Sequence, residues 1–317
     1  MPLRLSRRSV LAGLAAAPLL PGAARAQEAL AVVATTGMIA DTARVLGGEG
    51  VAVRALMGPG VDPHAYRQTR SDIAAMVNAD LTLWHGLYLE AQMEEFLGDL
   101  AARKPVVAVA EGLPRDLLLA HDQYPDRFDP HVWMDPALWS LVSATVAEAL
   151  LTLRPDLPVD PAGYQAELAA LRAYADEALA TVPESSRVLV SAHDAFGYFG
   201  RAWGYEVEGI QGISTESEAG VARIEELVSL LVERGVRAVF VESSVSDRGL
   251  RALVEGAVAR GHEVAIGGQL FSDAMGPEGT YEGTYLGMID HNVTTIARAL
   301  GGTVPERGRL GLLGAAT

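Results

Sequence analysis

No cysteine occurs in the 317 residues, which excludes disulfides, thiolate metal ligands, thiol nucleophiles and the lipid-bearing cysteine that anchors many exported proteins. Lysine is almost missing as well. The single one, Lys104, has no G-x-x-x-x-G-K run around it, so no P-loop nucleotide site is encoded. Positive charge is scarce overall: 25 Lys and Arg against 40 Asp and Glu give a formal charge of −15. Such a chain repels nucleic acid and favours cations weakly, although acidity by itself identifies no ligand.

The first segment has a basic start with Arg7-Arg8, an apolar run from Val10 to Leu20 and an Ala24-Arg25-Ala26 ending. That order predicts a twin-arginine-like signal peptide over residues 1–26, with a mature chain beginning at Gln27. The run is shorter than the roughly 20 residues a spanning helix needs, and Pro18 and Pro21 interrupt its end. Beyond Gln27 no comparably long apolar run is expected, so the mature chain is read as a soluble, non-lipidated periplasmic protein without membrane insertion. Loss of four arginines and no acid takes its formal charge from −15 to −19.

The remainder, half apolar, is long enough for two domains. Valine-rich runs alternate with helical patterns. Residues 30–34, 51–56, 81–85 and 106–110 read as buried strands, followed by a helix that Asp135 caps and Pro136 opens, running to Leu153. A second helix follows Asp160-Pro161 and stops before Pro183. Strands then resume at 188–191, 205–210, 238–241 and 263–266, with helices near 221–234 and 247–260. The predicted class is α/β: two lobes, each a mainly parallel sheet flanked by helices, joined by one long rigid helix. The expected divisions are 27–158, a linking helix over 159–184, and 185–317.

Seven histidines stand at 64, 85, 121, 131, 193, 262 and 291. Three of them, His64, His131 and His193, fall at strand-to-helix junctions, where ligands of open parallel sheets bind. Neutral imidazole is a good ligand for zinc, manganese or iron, and Pro63 and Pro130 restrict the backbone just before two of the three. Asp62, Asp129 and Asp194 flank them and offer to accept a second ring proton. Asp273 follows the last strand pattern, at the equivalent edge of the second lobe.

Five segments in this order carry a family resemblance: Asp62-Pro63-His64; Trp84 to Glu90 (WHGLYLE); Asp129 to Asp135 (DPHVWMD); Ala192 to Phe199 (AHDAFGYF); and Phe271-Ser272-Asp273. With them the chain resembles the cluster A-I solute-binding proteins, the metal-binding receptors of ABC importers for zinc, manganese and iron. The resemblance implies a metal site of His64, His131, His193, at a position the family fills with histidine or glutamate, and Asp273. It further implies a monomer holding one divalent ion (Zn²⁺ or Mn²⁺, with Fe²⁺ also admitted), delivered to an ABC permease and through it to the ATPase. Arg70 and His85 stand where many relatives have proline and asparagine, and neither is expected to touch a ligand position, so the metal site is expected to be left intact. His121, isolated in an acidic stretch, is expected to be a solvated surface residue, His262 to sit at a helix end and His291 on a surface or interface. Two other functions compete with this one: a zinc-dependent hydrolase, and a metal-buffering or adhesive protein without a transporter. Four protein ligands would close a tetrahedron that a catalytic zinc leaves open, and no H-E-x-x-H or G-x-S-x-G run occurs, so no enzyme is expected.

Overall fold

The computed structural model describes residues 28–314 except 122, 123 and 125, so the expected signal peptide lies outside the described residues. The first sheet contains β1 (Leu30–Ala34), β2 (Val51–Ala55), β3 (Leu81–Trp84) and β4 (Val106–Ala108), all parallel in the order β2-β1-β3-β4. Alternate side chains of β1 leave by opposite faces, as the pleat requires. Val33 joins Met76 of α2 (Arg70–Asn78) and Leu97 of α3 (Glu94–Ala101), whereas Val32 and Ala34 join Met38 and Ile39 of α1 (Gly37–Gly47).

The helix expected after Asp135 is α4 (Pro136–Leu153), and the Asp135 side chain accepts from Ala137 N as its cap. Asp160 caps α5 (Pro161–Ala180) in the same way through Gly163 N. Contrary to the expectation of no long apolar run after Gln27, α4 reaches a mean hydropathy of 1.4 over 18 residues, enough by length and composition to cross a membrane. Ser140, Ser143 and Glu148 break that run in the sequence and hide it. Its apolar character has a local cause: it packs against α1 and α5 with Trp139, Val142, Val146 and Leu150 buried.

The second sheet repeats the plan with β5 (Val188–His193), β6 (Glu206–Gln211), β7 (Ala238–Glu242) and β8 (Ala265–Leu270), parallel in the order β6-β5-β7-β8. Val188, Val190 and Val239 face α7 (Val221–Arg234) and α8 (Arg248–Ala259), while Leu189 and Phe240 point to the other side. There they meet a core that runs through α5 and α9 (Tyr285–Ala299) to β1, so both sheets share one apolar cluster. Strand β8 lies two residues later than expected at its start and four later at its end. Gly267 and Gly268 interrupt its apolar pattern, and Gly268, at φ 144, sits where the register with β7 shifts. Strand β5 extends to His193 rather than ending at Ser191.

Candidate metal centre

In each sheet the chain runs from its first strand to one neighbour and then crosses to the other side, so a switch point falls between β1 and β3 and between β5 and β7. The carboxyl ends of strands at such points diverge into loops that leave room for a ligand. His193 ends β5, Asp273 follows β8, His64 lies between β2 and α2, and His131 precedes α4. All four side chains are buried, and one donor atom from each lies within 4.8 Å of the others.

The spacing has a chemical meaning. His64 Nε2 is 3.3 Å from His131 Nε2, His131 Nε2 is 3.4 Å from Asp273 Oδ1, and His193 Nε2 is 3.2 Å from Asp273 Oδ2. A fourth separation, His64 Nε2 to Asp273 Oδ2, is 4.0 Å. Four donors placed tetrahedrally at the roughly 2.0–2.1 Å of zinc–nitrogen bonds stand about 3.3 Å apart. His193 Nε2 and both carboxylate oxygens of Asp273 are buried without a hydrogen bond, a costly arrangement unless something else satisfies them. The donor set therefore fits a small divalent cation.

Acids behind the histidines fix their orientation. Asp129 Oδ1 accepts from both the backbone N and Nδ1 of His131, at 2.9 and 2.7 Å, which turns Nε2 toward the cluster. For His193 the partner is Glu242, not the adjacent Asp194: Oε1 accepts from the backbone at 2.9 Å and Oε2 from Nδ1 at 2.5 Å. Glu242 was missed in the sequence because it is 49 positions away. Its signal was the register, since Ser191 pairs with Phe240 and residues two further along on each strand therefore sit side by side. Asp62 accepts from the backbone of His64.

Burial strips water from three histidines and from Asp129, Glu242 and Asp273 at once, and it shifts the balance of protons among them. Burial lowers the His64 pKa to about 3 despite the pull of Asp273. It acts the same way on His131, but Asp129 and Asp273 overcome it and lift that pKa to about 9. His193 is likewise raised well above 6.5 against burial, by Asp273 and Glu242. Asp273, although burial opposes ionisation, is held well below 3.8 by His193 and its neighbours. The same carboxylates that favour a proton on His131 and on His193 would favour a cation among the four donors.

Two other histidines depart from expectation. His85 does act on a ligand: its Nε2 donates to the carbonyl of Pro130, the residue before His131, at 2.7 Å. Its Nδ1 is buried without a partner, and burial lowers its pKa to about 3, so the ring stays neutral between Trp133 and Trp139. His121 is buried, not solvated. It lines a small cavity together with His64 and packs its ring on Tyr124, contacts that its isolation in the sequence concealed. His262 bonds Val236 O, and His291 bonds Gln269 O beside Phe271.

Residues 32–299 match the family model described as zinc-uptake complex component A, periplasmic. The chain is 46% identical over 279 residues to the manganese-binding lipoprotein MntA of Bacillus subtilis, covering 87% of this chain and 91% of that protein. It is also 46% identical over 273 residues to the zinc-binding protein TroA of Treponema pallidum, covering 85% and 88%. The solved structure of the periplasmic zinc-binding TroA of that organism superposes with a TM-score of 0.83 at 45% identity, over 86% of this chain and 99% of the other.

Proposed function

The chain belongs to the zinc-uptake complex component A family, and from that premise we propose that it is the exported receptor of an ABC metal importer. It captures one divalent transition-metal ion, zinc or manganese, and hands it to a permease driven by an ATPase. The observation that carries this is the buried group of three imidazoles and one carboxylate with unsatisfied donors converging at tetrahedral spacing. We assign the ligands as His64, His131, His193 and Asp273.

His64 and His131 come from the first half of the chain and His193 and Asp273 from the second, so the ion ties the proposed lobes, 27–158 and 185–317, together. Helix α5, within the proposed linking segment 159–184, packs on α4 and α9 rather than standing free, which favours limited motion between the lobes. A carrier rather than an enzyme is supported by the donor count: four protein donors fill a tetrahedron, and Asp129 and Glu242 are already engaged by ligand histidines. The relatives are named for manganese and for zinc at equal identity, so preference for zinc rests on the nitrogen-rich donor set. Export as a monomeric periplasmic protein without a lipid is part of the same proposal. Intact mass of the exported form tests it, with a start at Gln27 expected.

The ligand assignment is tested by titrating zinc and manganese into chelator-stripped protein. His64→Ala and His131→Ala should each weaken binding by several kcal/mol, about a thousandfold or more, and leave the metal-free fold near its native stability. Undiminished binding in either variant would refute the assignment.

A further inference from the structure

Three acids serve the three ligand histidines, and they do so unequally. Asp129 holds both the backbone N–H and the ring of His131, and Glu242 both the backbone N–H and the ring of His193. Asp62 accepts from the His64 backbone at 2.9 Å through Oδ1, but its Oδ2 takes the hydroxyl of Thr215 at 2.5 Å. Thr215 belongs to the other half of the chain, in the connection between β6 and α7. Two of the ligands are therefore braced from within their own half, and the third is braced across the cleft.

The connection that carries Thr215 touches the first half again one residue later, where Gln92 Nε2 donates to Glu216 Oε1 at 2.8 Å. Ile213, Ser214 and Glu216 of the same connection line a small cavity together with His64, Leu87 and His121. The segment from 213 to 216 thus shares a cavity with His64, and its Thr215 hydroxyl is tied to the carboxylate that holds the His64 backbone.

We propose that Thr215 is a positioning residue for His64, acting through Asp62, so that the hold of this donor on the ion depends on contact between the two halves. Parting the halves removes the Thr215 hydroxyl from Asp62, frees the loop at 62–64 and loosens His64 while His131 and His193 remain braced by Asp129 and Glu242. A partner that lifts the 213–216 segment would release the ion without having to disrupt either fully braced histidine. This inference rests on the assignment of His64 as a ligand.

The test is the rate at which protein loaded with zinc, or with manganese, loses its ion to an excess of a colorimetric chelator, compared for wild type, Thr215→Val and Thr215→Ser. Valine keeps the shape and removes the hydroxyl; serine keeps the hydroxyl. Loss of one hydrogen bond to a carboxylate should speed release by roughly tenfold or more in Thr215→Val, with Thr215→Ser close to wild type and the melting temperature of the metal-free protein unchanged. A wild-type rate in Thr215→Val overturns the proposal, as do equal rates for the two variants, or faster release matched by an equal loss of metal-free stability. His64→Ala separates the two levels. Retained binding there overturns the ligand assignment, whereas lost binding there with a wild-type rate in Thr215→Val overturns only the role of Thr215.

Discussion

Metal uptake by this site should expel about two protons, and the number follows from the cluster's electrostatics. At pH 7 the metal-free site holds a proton on His131, whose pKa stands near 9, and another on His193, raised well above 6.5. His64, lowered to about 3, and Asp273, held well below 3.8, hold none to lose. Coordination needs unprotonated Nε2 atoms, so both protons must leave. Protons then compete with the ion, and affinity falls as pH falls: about a hundredfold per pH unit, or roughly 2.7 kcal/mol, between pH 6 and 8. Calorimetric titration of zinc at pH 7 in buffers of different ionisation enthalpy counts the protons directly. Asp129→Asn removes the charge that most raises His131, so its count should drop toward one. A wild-type count near zero would refute the charge balance, because it would mean the metal-free site is not neutralised by protons.

The same charges make a prediction for the metal-free protein. The folded pKa of His131 lies above its unfolded value, so its ion pairs stabilise fully below about pH 6.5 and are lost as pH rises through about 9. Melting of stripped protein should weaken over that range while the zinc-loaded form changes little; a flat metal-free curve would count against it. His193→Glu introduces a carboxylate against Glu242, so the change is best made together with Glu242→Gln. That pair should narrow the preference for zinc over manganese by roughly tenfold, or about 1.4 kcal/mol, since manganese gains from oxygen donors; competitive titration at one pH measures it, and an unchanged ratio would place residue 193 outside the coordination sphere. His85→Leu leaves the Pro130 carbonyl without its donor and should lower metal affinity by about 1–3 kcal/mol, with His85→Asn retaining much of it. Titration showing equal affinity in both would mean the His85 bond does not position His131.

Much of the fold was legible because its signals are local. Asp135-Pro136 and Asp160-Pro161 place a side-chain acceptor and a fixed φ at the first turn of α4 and α5, and both helices begin there. Valine-rich runs bounded by polar turns located seven of the eight strands to within two residues at each end. The eighth, β8, runs through Gly267-Gly268 and is held by its pairing with β7 rather than by its own side chains, so its extent could not be read from composition.

The histidines that converge were legible for a different reason: each stands beside a proline or at a strand end, and such junctions collect at one edge of a parallel sheet. What supports them was not, because hydrogen-bond partners in this fold are neighbours across strands and across the cleft. Asp129 is found two residues from His131, but Glu242 reaches His193 only through the pairing of β5 with β7, and His85 reaches His131 only because β3 and the loop before α4 end at the same place. An acid adjacent in sequence is a poor guide at a strand end: β5 stops at His193, and both its backbone N–H and its ring Nδ1 go to Glu242 on the neighbouring strand rather than to Asp194. The rule that follows is a physical one. For a ligand at the end of a strand, the supporting carboxylate should be sought at the same height on the adjacent strand, and for a ligand in a loop, within two residues.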